Sequence, residues 1–533
     1  MIMHDLFLPT PLPLLSCGIA IMLGSIAWRR SIRRNLSIGL VTLLLALVSV
    51  GSHIGAAPVD GAALFLQDRW AVYTAGLVGF SALCILLMSW RDMSGPRADT
   101  GTGPHIGMRT DPRTDPSIGA PNATLNATPA GASSGTLDST SIGDEYSLLV
   151  LLGTLGAFAM VYAANFMPFF LGLEILGISL PGLIAYRQGH AMQACEAAMK
   201  YLILSGVSSA ILLFGIGLAY AATGSLRFGL PVAGNGIPPL VAMAATVMIL
   251  AGMFFKLSAV PFHMWLPDVM QGAPVPVAAF MAVVSKIAIF SSLVRYFSMG
   301  HAPPFLDTLL YGVIVLTILV GNLLALRQTS LTRLMACSSI AHMGYLLIAF
   351  YSPGPLQPGT LGAYLAAYTA STLGVFAAIN AFATPDGTDG TTILDWKGLF
   401  FSRPFLATAM ALMLLSLAGI PPGIGFFAKF EIMATGMDHH RGLLLLVLVA
   451  GSIMGLYYYL NIIRLMMVPP SLPAIRRGPG ASPELTALII VLSMIVVVGG
   501  LFPAFIIHPL FPAYQPGPPP AAVPTQRLTP ESM

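Results

Sequence analysis

Apolar residues run through this chain in blocks of about twenty, separated by polar connectors. They do not alternate with polar residues at the period of a half-buried strand. Blocks lie near residues 11–28, 36–57, 70–90, 146–164, 165–185, 194–222, 238–260 and 276–299. Others follow near 308–326, 333–352, 360–383, 404–436, 441–463 and 485–507. A helix of about 20 residues spans the ~30 Å hydrocarbon core of a bilayer. The pattern therefore predicts an all-α polytopic membrane protein with about fourteen transmembrane helices. The first block is followed, not preceded, by its positive cluster of Arg29, Arg30, Arg33 and Arg34. That is the reverse of a cleavable signal peptide, so an uncleaved first span with an outside N-terminus is expected.

Positive charge tests the helix count, because inside connectors collect Lys and Arg. Starting from an outside N-terminus, sixteen of the 25 Lys and Arg fall in inside connectors and five in outside connectors and the tail. A miscounted helix in the middle would scramble this asymmetry. Both termini are thus expected outside. Residues 91–145 form the one long polar insertion, rich in Gly, Thr, Ser and Pro. With no hydrophobic period it cannot bury a core and reads as a disordered inner loop.

Two blocks should contain broken helices. In the first, Lys256 is followed five residues later by Pro261, which cannot donate to the carbonyl of Leu257 and clashes there. In the second, Gly419, Pro421, Pro422, Gly423 and Gly425 precede Lys429, so the break comes before the lysine. Broken helices survive in a bilayer only where protein or water satisfies the freed backbone groups. A pair of them, each beside a lysine, suggests an internal repeat of the kind found in secondary transporters.

Composition fits this class: 56% of residues are hydrophobic and 9% charged, with a mean hydropathy of +0.82, against about 25% charged in soluble domains. Cys17, Cys84, Cys195 and Cys337 lie within apolar blocks without metal-ligand spacing and read as small core residues. The sequence carries no dinucleotide fingerprint, iron–sulfur cysteine cluster or paired haem histidines. No metal site and no cofactor of its own are expected.

The lysines carry the candidate chemistry. Only five occur, and four of them, Lys200, Lys256, Lys286 and Lys429, interrupt apolar blocks. A charge at the centre of a span costs about 2.5–3.5 kcal/mol even on insertion scales. Arginine keeps its proton, whereas burial can lower a lysine pKa by ~3–5 units. The pattern points to proton movement. Glu174 lies mid-span and needs a cation or a proton to remain there. Bland readings compete with each assignment. Lys200 can form a snorkelling i,i+4 pair with Glu196, and Lys429 has Glu431 and Asp438 nearby. His263 and His342 can be proton relays or hydrogen-bonded structural histidines.

The segments Lys256-Leu-Ser-Ala-Val-Pro-Phe-His263, Pro267-Asp268 through Pro274, Arg333 through Tyr345 and Ser416 through Lys429 resemble the antiporter-like membrane subunits of respiratory complex I. The resemblance spans roughly residues 146–465. It implies two inverted five-helix repeats, at 146–299 and 308–463, each with a discontinuous helix. Three helices over 1–90 would precede the insertion and repeats, and a last helix and proline-rich tail over 464–533 would follow. It also implies a lateral proton path through Glu174, Lys200, Lys256, Lys286 and Lys429, with His263 and His342 as further relay candidates. NADH, FMN, iron–sulfur clusters and quinone would belong to partner subunits in a bacterial inner membrane. Neighbouring antiporter-like and small membrane subunits would be the partners, with no nucleic acid involved. The alternative is an Mrp-type cation/proton antiporter subunit, which shares the fold and its lysines. Ala418-Gly419-Ile420-Pro421-Pro422 with Lys429 looks more like the complex I branch.

Overall fold

A computed structural model of the chain describes residues 10–54, 59–61, 64–94, 144–186, 191–229, 238–298, 304–352, 357–382, 390–439, 441–469 and 482–503. The chain begins with helices α1 (Pro11–Trp28), α2 (Ile32–Ser52) and α3 (Arg69–Ser94), with a small hairpin of β1 (Val59–Gly61) and β2 (Phe65–Gln67) between α2 and α3. Then come α4 (Asp144–Tyr162), α5 (Phe166–Ile184), α6 (Ala191–Thr223), α7 (Pro239–Leu257), α8 (Trp265–Gly272) and α9 (Val275–Ser298). The second half holds α10 (Pro304–Ala325), α11 (Leu331–Phe350), α12 (Gln357–Phe382), the short α13 (Leu399–Ser402), α14 (Pro404–Ala418), α15 (Ile424–Asp438) and α16 (Gly442–Met467). Helix α17 (Pro483–Leu501) is last among the described residues.

Among these, thirteen helices are long and apolar enough to cross a membrane. The broken pair α14–α15 supplies the fourteenth crossing that the hydropathy blocks predict. The inner loop expected at 91–145 lies mostly outside the described residues, as does the proline-rich tail.

The two halves repeat in detail. Helices α4 and α5 meet where a Cβ on Gly156 would come within 2.5 Å of the Gly172 carbonyl oxygen, and one on Gly172 within 2.6 Å of that of Gly156. Helices α10 and α11 meet likewise: a Cβ on Gly321 would reach 2.7 Å from the Ala341 nitrogen, and one on Gly344 3.0 Å from that of Ile318. Small residues let membrane helices approach backbone to backbone. Next, α6 packs along α7, as α12 packs along α14. Both breaks then end a helix in the same way. Ser258 (φ 62°) caps α7 and Gly419 (φ 85°) caps α14, each in the left-handed conformation with its N–H returned to the last turn. Each break also contains one cis X–Pro bond, Val260–Pro261 or Pro421–Pro422. Five crossings per repeat leave the second repeat inverted relative to the first.

Helices α9, α11 and α12 are almost wholly buried and form the centre of the bundle. Peripheral helices present bare apolar faces, with Leu202, Ile203 and Val207 on α6 and Leu443, Leu446 and Ile453 on α16 exposed. A bilayer solvates such faces, whereas water would not. Two expectations need correction. Cys84 and Cys337 are buried, but Cys17 and Cys195 are exposed, so only half of the cysteines are core residues. Arg295, counted above as an outside connector charge, belongs to α9 and is buried. Its guanidinium donates to the carbonyls of Val161 (3.0 Å) and Ala163 (2.9 Å) at the end of α4 and to Asp68 Oδ1 (2.8 Å). It is a helix-terminus clamp rather than a topology charge.

Candidate functional site: a buried lysine–histidine line

The first broken helix places Lys256 in the last turn of α7. Its Nζ donates to Ser205 Oγ on α6 at 2.6 Å and lies 5.4 Å from the centre of the Tyr201 ring. Gly177 of α5 forms another wall, since a Cβ there would come within 3.4 Å of Nζ. Glu174 stands three residues earlier on α5, and its Oε1 is buried without a hydrogen-bond partner. In the break itself, His263 is buried and its Nδ1 is also unpartnered. A buried polar atom without a partner costs about 1–3 kcal/mol. Glu174 and Lys256 form no ion pair.

Lys286 on α9 is only 1% exposed. Its ammonium donates to Ser339 Oγ on α11. Helical spacing puts Ser338, Ser339, His342 and Tyr345 on one stripe of α11. His342 is buried, its Nδ1 2.7 Å from the Tyr364 hydroxyl and its Nε2 3.4 Å from that of Tyr459. Tyr459 also bonds Ser338, and Tyr368 donates to the Ala282 carbonyl one turn before Lys286.

Lys429 closes the line from α15. Its Nζ donates to the Ala418 carbonyl, the last of α14, at 2.9 Å and sits 5.2 Å from the centre of the Tyr345 ring. Between His342 and Lys429 lies a cavity of about 10 Å³, walled also by Tyr368, Ser371, Ser416 and Ala428. That volume is about the size of one water.

Lys200 is not part of this buried line. Its side chain is 46% exposed and pairs with Glu196 at 2.7 Å and with Asp268 at 3.7 Å. Asp268 in turn receives Arg333 at 2.6 Å, and Arg333 also donates to Gln271 at 2.9 Å. The result is a charged surface cluster joining α6, α8 and α11, with Tyr201 the next residue inward.

The family model described as NADH:quinone oxidoreductase/Mrp antiporter, transmembrane, matches residues 163–455, which include every residue of this line. The chain belongs to that family. Within it, the NADH-quinone oxidoreductase subunit N of Methylococcus capsulatus (strain Bath) is 44% identical over 395 residues, covering 72% of this chain and 78% of the relative. Among solved structures, a chain of respiratory complex I from Thermus thermophilus superposes with a TM-score of 0.72 at 29% identity, over 93% of this chain and 98% of that one. A chain of the Mrp complex from Dietzia sp. DQ12-45-1b gives 0.75 at 18% identity, over 94% of this chain and 96% of that one. That second likeness shows the fold alone.

In this member of the NADH:quinone oxidoreductase/Mrp family, Lys286, His342, Tyr364 and Tyr368 lie on the central helices α9, α11 and α12, and Lys256 and Lys429 lie beside the two breaks. Sequence reasoning singled out the lysines, Glu174 and the histidines but missed the residues that hold them. Tyr201, Tyr345, Tyr364, Tyr368 and Tyr459 carry no sequence signal of their own in a chain with 16 tyrosines. The one available hint was adjacency: Tyr201 follows Lys200, and Tyr345 closes the segment that contains His342.

Proposed function

We propose that this chain is the N subunit of a bacterial proton-translocating NADH–quinone oxidoreductase, and that Glu174, Lys256, Lys286, His342 and Lys429 carry the protons. One observation bears most of this reading. Three ammonium groups are buried inside a membrane bundle, each bonded to a neutral oxygen from Ser205, Ser339 or Ala418 rather than to a carboxylate. Fixed structural charges would be paired, because an unpaired buried ion costs several kcal/mol. A lysine that must give up and regain its proton is better served by a weak, neutral partner. Imidazole can take a proton on one nitrogen and release it from the other, which suits His342 between Lys286 and Lys429. Glu174 and Lys256 would form the input pair, drawn together when the ammonium is charged. Lys200 would serve at most as an entry group at the surface.

The redox chemistry belongs to partners on this reading. NADH, FMN, iron–sulfur clusters and quinone sit on other subunits, and this chain contributes only the proton path. Neighbouring antiporter-like and small membrane subunits would cover part of its bare apolar faces, with lipid over the rest. On this reading the membrane is the bacterial inner membrane, and the charge asymmetry supports both termini on its periplasmic side.

An Mrp-type cation/proton exchanger is the second reading, because the matching family model describes both kinds of membrane subunit. It predicts sodium-driven proton exchange in vesicles without any reductant. The test of the first reading is proton pumping by the assembled complex carrying Glu174→Ala or Lys256→Ala, measured beside NADH–quinone turnover. Pumping should fall sharply in both, and normal coupled pumping in both would remove these residues from the path.

A further inference from the structure

The two broken-helix lysines occupy matching enclosures, and the shared element in each is an aromatic face. Lys256 Nζ lies 5.4 Å from the Tyr201 ring centre and Lys429 Nζ 5.2 Å from that of Tyr345. Both distances are within the ~6 Å at which a cation is attracted by the ring quadrupole, an effect that strengthens on desolvation. A glycine completes each enclosure. A Cβ on Gly177 would come within 3.4 Å of Lys256 Nζ, and one on Gly419 within 2.8 Å of Lys429 Cδ and 3.3 Å of its Nζ. A single neutral oxygen, Ser205 Oγ or Ala418 O, accepts from each ammonium. Among the described residues neither lysine has a carboxylate within ion-pair distance.

Both rings are themselves fixed. Tyr201 packs on Trp265 at 5.2 Å, and Trp265 stacks on Phe255 at 5.3 Å beside Lys256. The Tyr345 hydroxyl receives Asn322 Nδ2 at 2.9 Å. In neither repeat does the tyrosine hydroxyl touch the lysine; only the face does.

We propose that Tyr201 and Tyr345 are positioning residues that hold the ammonium groups of Lys256 and Lys429 between proton transfers. An aromatic face does this where a carboxylate would lock the charge in place. The attraction is strong enough to define one resting position and weak enough for the side chain to leave it, and it vanishes when the proton departs. The inference rests on the proton-carrying role proposed for the two lysines.

The decisive experiment uses the assembled complex in membrane vesicles, with protons pumped per NADH oxidised as the readout. Tyr345→Phe and Tyr201→Phe keep the face and should pump far better than the leucine variants. Tyr345→Leu and Tyr201→Leu remove it and should lose roughly tenfold in pumping. Leucine variants that pump normally, or phenylalanine variants that fail equally, would overturn the proposal. Because leucine can disturb packing, a second series places phenylalanine, 4-fluoro-, 3,5-difluoro- and 3,4,5-trifluorophenylalanine at position 345. Ring size barely changes while the negative face is progressively depleted. Pumping should fall stepwise with fluorination, and a flat series refutes the role. Lys429→Ala run in parallel separates the two ideas. If it pumps normally, the proton-path reading has failed; if it fails while the fluorinated series stays flat, only the aromatic role has.

Discussion

Replacing Lys286 distinguishes a proton carrier from a fixed charge, and the energetics favour a clean result. Lys286→Met keeps most of the side chain's length and removes the ammonium. The lost hydrogen bond to Ser339 was one to a charged group, worth about 1.5–3 kcal/mol. Against it stands the effective penalty of several kcal/mol for burying the charge, which disappears with it. Relief of desolvation therefore outweighs the lost bond, and the methionine variant should fold and assemble. Lys286→Arg is the harder fit, because the site is 1% exposed and overpacking costs about 1–3 kcal/mol. Arginine retains a positive charge but holds its proton at any physiological pH. If Lys286 must release a proton in each cycle, both variants should assemble, oxidise NADH and fail to pump. The assay is dye-reported acidification of inverted vesicles alongside NADH oxidation, with subunit content checked on the purified complex. An arginine variant that pumps while methionine alone fails would refute the carrier role and leave Lys286 as electrostatic support.

Filling the cavity between His342 and Lys429 should cut proton transfer without touching either residue. Ala367→Val places two methyl groups against about 10 Å³ of space and should lower pumping, whereas Ala363→Val, one turn away, should not; equal pumping in both would deny the cavity a role. Lys200→Ala should reduce pumping far less than Lys256→Ala, because exposed ion pairs contribute about 0–1 kcal/mol, and parity between them would return Lys200 to the path. Asp68→Ala strands the buried Arg295 guanidinium and should destabilise by roughly 3 kcal/mol, seen as a lower Tm of the purified complex; an unchanged Tm would show that the carbonyls of Val161 and Ala163 suffice. Reporter fusions at Ile54 and Asp395 should lie on opposite sides of the membrane, and agreement between them would break the helix count.

Much of the architecture was legible in one dimension because the bilayer imposes a length on every crossing. Each block of about twenty apolar residues became a helix or a broken pair, and the two interruptions, at Pro261 and at Gly419 through Gly425, became breaks. Burial was less legible. In a soluble protein an apolar residue is expected inside, but here lipid is an equally good environment, so Cys17 and Cys195 could not be told from Cys84 and Cys337. Arg295 was misplaced for a related reason. Its carbonyl and Asp68 partners lie on α4 and the β2–α3 connector, far away in sequence, so its local apolar context gave no sign of a clamp. Lys200 is the opposite case: Glu196 four residues earlier already offered the surface pairing that the structure displays.

What the sequence concealed most thoroughly is why both breaks belong beside a lysine. Along the chain the two cases look different, since Lys256 precedes its break and Lys429 follows its own. In three dimensions both lysines belong to a helix C-terminus. An unbroken helix spends its carbonyls on its own amides, whereas a terminus leaves the last four without intrahelical partners and carries about half a negative charge. Lys256 lies in the last turn of α7 itself. Lys429 reaches across the gap, and its ammonium takes the terminal carbonyl of α14 from eleven residues away at 2.9 Å. Each break thus brings a partial negative charge into the bundle without introducing a titratable acid. A carboxylate there would bind the ammonium more strongly and would itself compete for the proton. A helix terminus can do neither, which makes it a suitable partner for a lysine that carries protons in the way proposed above.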